Sequence, residues 1–379
     1  MRQADKVSYK KIPLPFKIKK SVLALGSQTK NTVCFAEDMT AHLSPLHPDL
    51  GNPYDFQNFE KAVRHFLGKC PKIIACDLHP EYQASKYAQN LQPARFKPEI
   101  IQHHHAHIAS CMVENGLKSQ KVIGIAFDGT GLGNDDTFWG AEFLVCDYKN
   151  FIRRAHLKTL PLVGQEMAIR EPWRLAVVWL YRLYKNRIFN IGLEVIKKID
   201  RKKWQVIKNM YLTDFNAPLA SSAGRLFDAA ASLILAEDKA RFEGELAIKL
   251  EKIAQGCKLA ASEYPVEIIK EKNMYVINPL PMFRGIVWDL KRKREKRIIA
   301  YRFHLTLARM IEKICLILRR ETRINKVILS GGVFQNKLLL GLAFGLLCKR
   351  GFVVYSHKSL SSNDANISLG QVAIANFRS

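Results

Sequence analysis

Lys326-Val327-Ile328-Leu329-Ser330-Gly331-Gly332-Val333-Phe334-Gln335-Asn336 reads as a buried strand that stops on a double glycine and turns into a helix. Val327, Ile328 and Leu329 form the short apolar run of a strand buried on both faces. Glycine lets backbone approach a phosphate closely, and a helix N-terminus offers unpaired N–H groups to an anion. Any strand–turn–helix unit can use Gly-Gly, and no Gly-Lys-Ser or Gly-Lys-Thr follows to make a P-loop. Downstream come a helix at 336–349, a strand at 352–355, a loop carrying Asp364 and a closing helix. Upstream, a long helix at 298–319 leads into the strand. The same pattern recurs near the start of the chain. Ser21–Gly26 is a buried strand ending on glycine, Val33–Ala36 is its partner, 56–66 has helical spacing, and Lys72–Asp77 is a strand of the parallel type. Strands alternating with helices give an α/β fold with parallel sheet. Strand–glycine-turn units at both ends point to two related lobes.

The 379 residues fit two or three domains, or one fold of two similar lobes. The expected division is a basic leader at 1–20, a first lobe at 21–150 and a second at 151–379. Within the second lobe, 170–260 is largely helical and the C-terminal helix returns to lobe I. Residues 1–20 read as extended, with Pro13 and Pro15 blocking helix. They are basic but contain no apolar segment of the kind a secretory signal needs. The longest apolar run, Leu338–Cys348, is too short to span a bilayer. A cytoplasmic protein with no membrane partner is expected. The eight cysteines form no Cys-x-x-Cys pair, which argues against a zinc knuckle or a disulfide framework. The net charge of +25 is concentrated at 197–203 and 291–297. Those segments lack interleaved aromatics to stack bases, so a solvated face or an acidic partner is favoured over nucleic acid.

Chemistry concentrates in Gln102-His103-His104-His105-Ala106-His107. Imidazole is the commonest transition-metal ligand at neutral pH, and a spacing of four puts His103 and His107 on one face of a helix. The alternative is a polar helix start with a capping or core histidine. In α/β sheets ligands bind beyond the carboxyl ends of the strands. Val122–Gly129 is such a strand, with Asp128 at its end and Thr137–Cys146 as hairpin partner. Asp128 and Asp364 are the acids best placed to join the histidines in a hard, open site for Fe2+, Mn2+ or Zn2+. Either acid is also consistent with a turn or cap residue.

These motifs resemble the C-terminal transferase region of the hydrogenase maturation factor HypF family, related to tRNA threonylcarbamoyl transferases and antibiotic O-carbamoyltransferases. The resemblance runs from Leu14 to Ala375. It rests on Val22–Gly26, Lys30–Thr32, Ala75–Pro80, Gln102–Ala109, Ala126–Gly131, Trp139–Phe143, Ile169–Arg174, Gly224–Ala229, Arg302–His304, Leu329–Asn336 and Ile367–Gln371. It implies the actin-like ATPase (ASKHA) fold, two ribonuclease H-like lobes with a nucleotide cleft between them. It also implies a divalent metal, Fe2+ or Zn2+, on His103, His107, Asp128 and Asp364, and carbamoyl-adenylate bound through its AMP moiety. By position Lys30, Gly331 and Gly332 face phosphate, with Gly129 and Thr130 also at the ligand. Asp228 meets the ribose hydroxyls, and Glu243, Gly244 and Asn336 line the nucleoside pocket. His104 and His105 are expected behind the ligands or facing the acceptor. The implied partners are a HypE-like acceptor, carbamoylated on its C-terminal cysteine, and a separate YrdC-like protein that forms the donor. Asp364-Ala365-Asn366 departs from the family's usual Asp-Gly-Gly, and Glu245, Glu166 and Asp136 replace a usual Gln, Asp and Gly. O-carbamoylation of a small molecule, or a nucleotide-binding scaffold without turnover, are the alternatives.

Overall fold

The computed structural model describes residues 9–91, 97–257 and 261–379, and its strands assemble two large sheets in the same order. Val22–Ala24 (β1), Cys34–Glu37 (β2), Thr40–Leu43 (β3), Ile73–Asp77 (β4) and Glu99–Ile101 (β5) run β3-β2-β1-β4-β5. Val122–Leu132 (β6), Phe138–Cys146 (β7), Phe151–Leu157 (β8), Lys326–Ser330 (β9) and Val353–Ser356 (β10) run β8-β7-β6-β9-β10. In each sheet the first three strands are antiparallel and the last two are parallel to the first. The registers Val22↔Ile73 and Val327↔Ile123 mark the two equivalent parallel joins. This order, occurring twice, defines paired ribonuclease H-like lobes and hence the actin-like ATPase fold.

The helices that shape the site are His103–Glu114 (α1), Ala223–Leu235 (α2), Lys296–Thr322 (α3), Lys337–Lys349 (α4) and Ile367–Arg378 (α5). α1 follows the last strand of the first sheet yet packs on β6 and β9 of the second. α5 follows the last strand of the second sheet and packs on β1 and β4 of the first. The two exchanged helices cross each other at Gly370, where an added Cβ would overlap the Ala106 carbonyl. Because α1 lies between a sheet and α5, all of its residues from His103 to Val113 are buried. A shared core of β1, α1, β6 and α5 side chains fills this layer. It is flanked by a smaller core around Leu23, Phe35 and Phe59 and a larger one around Trp179, Phe227 and Phe303.

The lobe boundary expected at 150 is displaced. β6 and β7 pair within the second sheet, so that lobe's sheet already begins at Val122. An apolar strand has the same sequence pattern in either sheet, and only pairing decides its membership. The leader is also revised. Lys10–Pro13 is an edge strand beside β3, Ile12, Leu14 and Ile18 are buried, and Asn376 of α5 bonds the Lys19 N–H and Lys17 carbonyl. Proline is tolerated there because an edge strand needs only half of its ladder bonds. Residues 1–8 lie outside the described residues. β6 also continues past its expected end at Gly129 to Leu132, so the turn into β7 comes after Leu132. Among the described residues no helix is long and apolar enough to cross a membrane.

Candidate metal centre

Four side chains from three segments converge where the lobes meet. Gln102 caps α1, accepting the His105 N–H at 2.9 Å, and so starts the helix on His103. One turn on, His107 sits on the same face. Asp128 comes from β6, and Asp364 from a single helical turn, Asp364–Asn366, ahead of α5. Both imidazole Nε2 atoms lie 3.3 Å from Asp128 Oδ2 and 3.7 Å from Asp364 Oδ1. One donor atom from each residue fits within a 4.8 Å span. Ligands held about 2.0–2.2 Å from one ion sit roughly 3–4 Å apart, so this spacing suits a shared cation. His103 Nε2 is fully buried and, among the described residues, no hydrogen-bond donor faces it, a cost that a cation would remove. Two imidazoles and two carboxylates suit Fe2+ or Zn2+ and leave coordination positions for a substrate oxygen.

Electrostatics agree with the geometry. Burial alone would push His103 down, but Asp77, Asp364 and Asp128 outweigh it and hold its pKa well above the ordinary value. His107 is raised in the same way by Asp128 and Asp364, against burial. Both carboxyls are held below their usual range, burial being overcome by the two histidines. A cation would take the place of those protons, as metal binding at imidazole generally does.

The supporting residues were less visible in the sequence. Asp77, at the end of β4, accepts the His103 Nδ1–H at 2.7 Å and so points Nε2 into the cluster. Its signal was an acid closing a parallel strand. Among the described residues His107 Nδ1 has no such partner. Asp128 also accepts the Gly332 N–H at 3.0 Å on its other oxygen, tying the double-glycine turn to the cluster. Gly331 takes φ +102°, and a side chain there would strike the Phe127 carbonyl. His104 and His105 are fully buried and do not face an acceptor. His104 Nδ1 accepts from Gln102, His105 donates to the Asp147 carbonyl, and burial pushes them down to about 3 and about 4.

A second group assembles around Gly129. The Ser222 hydroxyl, capping α2, donates to the Gly129 carbonyl. Arg225, one turn into α2, bonds Asp228 at 2.7 Å and Glu243 at 3.0 Å. Asp228 and Glu243 are thereby brought together by a residue the sequence reading did not single out. Burial raises Asp228 to about 6. A Cβ on Gly129 would come within 2.7 Å of Glu243 Oε1. Thr130 beside it is half-buried. Gly244 adopts φ +82° just ahead of the helix Glu245–Gln255. Asn336 differs from expectation. Its side-chain oxygen caps α4 at Leu339 N and its amide donates to His304 Nε2 at 3.0 Å, so both ends already hold a structural bond. Lys30 is exposed, on a short ladder between Thr29–Asn31 and His47–Asp49. Two residues on, the Thr32 hydroxyl donates to the Ala365 carbonyl, which joins that loop to the Asp364 turn.

Two ribonuclease H-like lobes with a His2Asp2 cluster at their junction define a Kae1-like member of the actin-like class. Residues 17–114 match the family model described as the HypF Kae1-like domain, and residues 124–371 match that described as carbamoyltransferase, Kae1-like domain, second subdomain. The chain belongs to the HypF family. It is 35% identical to carbamoyltransferase HypF of Synechocystis sp., over 98% of this chain and 49% of that protein. It is 33% identical to a carbamoyltransferase HypF homolog of Cupriavidus necator, over 93% of this chain and 91% of that protein. The chain thus spans about half the length of the first relative and nearly all of the second. Full-length HypF in a phosphate- and nucleotide-bound form superposes with a TM-score of 0.89 at 39% identity, over 97% of this chain and 57% of that one. HypF of T. kodakarensis gives 0.84 at 28%, over 97% of this chain and 49% of that one.

Proposed function

We propose that this chain transfers a carbamoyl group from carbamoyl-adenylate to an acceptor thiol, with one Fe2+ or Zn2+ held by His103, His107, Asp128 and Asp364. The convergence of those four side chains carries the reading. When bound, the cation supplies Lewis acidity at the oxygen that gains charge as the donor is cleaved. The protein's own groups bind and orient. The double-glycine turn, bare of side chains, lets a phosphate approach the backbone closely, and Lys30 adds charge from the first lobe. Asp228, Glu243 and Gly244 border the nucleoside above the floor made by Gly129 and Thr130. Asn336 acts indirectly, by fixing the first turn of α4.

The nucleophile comes from the acceptor. Burial holds Cys76, next to Asp77, as a thiol with its pKa at about 12. The acceptor thiolate attacks the carbamoyl carbon, the bond from that carbon to the adenylate oxygen breaks, and AMP leaves with the electron pair. The acceptor is the C-terminal cysteine of a HypE-like protein in hydrogenase maturation, and a YrdC-like protein supplies the donor. The purified chain mixed with carbamoyl-AMP, Fe2+ or Zn2+ and a HypE-like protein should add one carbamoyl mass to the acceptor's C-terminal peptide. An unmodified peptide with either metal present rejects the reading.

A further inference from the structure

Asp364 arrives at the cluster on a loop, whereas the other three residues come from a helix and a strand. The loop is clasped by the far end of the helix that carries both histidines. Glu114, the last residue of α1, turns Oε1 to the Lys358 N–H at 3.1 Å, the Leu360 N–H at 2.8 Å, the Ser359 N–H, and the Ser359 hydroxyl at 2.9 Å. Its Oε2 accepts His357 Nδ1–H at 2.7 Å. Asn115, just past the helix, donates to the Ser356 carbonyl at 3.0 Å.

His357 carries the link onward. Its Nε2 accepts from the Ser330 hydroxyl at 2.9 Å, at the end of β9 before the double glycine. It also faces the Asn366 amide at 3.3 Å, two residues beyond Asp364. Asn366 is fully buried, and its amide donates to the Ser361 carbonyl at 2.8 Å. The side chain that stands where the related pattern has glycine is therefore turned into the loop and away from the cluster. The charges are consistent. Burial would raise Glu114, but His357 and the loop N–H groups outweigh it and bring it down to about 2, while burial keeps His357 neutral.

We propose that Glu114, His357 and Asn366 are positioning residues that set Asp364 against His103 and His107, so that one helix fixes both halves of the metal site. The inference rests on the metal reading above, and the experiment separates the two. Zn2+ affinity of the full chain is measured by chelator competition, and hydrogen exchange is followed at amides 358–366, in wild type, Glu114→Gln and Asn366→Ala. The amide of Glu114→Gln presents a donor to the His357 Nδ1–H and breaks the clasp there. Zn2+ should bind about 10–100-fold more weakly, as for other residues that orient metal ligands. Exchange at 358–366 should accelerate while that of β6 and β9 stays unchanged. Asn366→Ala should move both readouts in the same direction, and less. Wild-type affinity within twofold in both variants, with tight binding in the wild type, overturns the inference alone. A wild type that takes up no Zn2+ overturns the metal reading as well.

Discussion

The two lobes share one strand order but use it differently. In the first, the chain leaves β1 through Gly26, whose N–H donates to Gln371 Oε1 at 2.9 Å while its carbonyl accepts from Gln371 Nε2 at 3.1 Å. That strand end is spent on holding α5. In the second, the equivalent strand β6 carries Asp128, which faces both histidines. The fourth strands differ likewise. β4 ends on Asp77, a carboxylate that aims His103, whereas β9 runs into the double glycine, whose Gly332 N–H is bonded to Asp128. Only the element after the fifth strand plays the same part twice. α1 begins with His103, and the turn before α5 carries Asp364. Each lobe therefore lends the other a helix with ligands at its N-terminal end, and the site is the place where these loans meet.

Removing the carboxylate that lies nearest both histidines should have the largest effect. Asp128→Asn keeps the shape of the side chain but loses the charge, and carbamoyl transfer should fall about 10²–10³-fold. Retained activity would mean that the second lobe contributes only backbone. Next comes the joint itself. Gly370→Ala drives a methyl into the Ala106 carbonyl, and urea unfolding should show a loss of about 3 kcal/mol or more. A small loss would show that the helix exchange is loosely packed. Asp77→Asn should weaken metal binding about 10–100-fold with little change in the unfolding midpoint. An equal effect on both would make Asp77 structural rather than orienting.

The smallest effect concerns pH, and both lobes contribute to it. Burial depresses His47 in the first lobe and His304 in the second to about 4. The unfolded chain binds more protons than the native one below the ordinary histidine value of 6.5, so stability is lost as pH falls from there through about 4. Urea midpoints measured between pH 7 and 4.5 should decline. His304→Gln, which can still bond Asn336, should flatten the decline, and an unchanged slope would remove His304 from the account.

Much of this was legible in the chain. Val327–Leu329 and Ile73–Ala75 announce buried parallel strands because apolar runs bounded by glycine or acid have few other uses. The four cluster residues followed from imidazole spacing and from acids at strand ends. What escaped depends on pairing between distant segments. Nothing local in Val122–Phe127 tells that β6 leads the second sheet, and nothing in Lys10–Pro13 announces an edge strand. Arg225 and Glu114 look like ordinary charged helix positions until Asp228 and Glu243, or the 358–360 backbone, fold against them. The capping duty of Asn336 was hidden because it depends on where α4 begins.

The central claim is that His103, His107, Asp128 and Asp364 hold one cation. Titration of the metal-free chain with Co2+, followed by its visible ligand-field absorption, tests it most directly. The account predicts saturation at one Co2+ per chain and loss of the band in His103→Ala and in His107→Ala, with both variants still folded by circular dichroism. A wild type without the band, or a band that survives both substitutions, contradicts it.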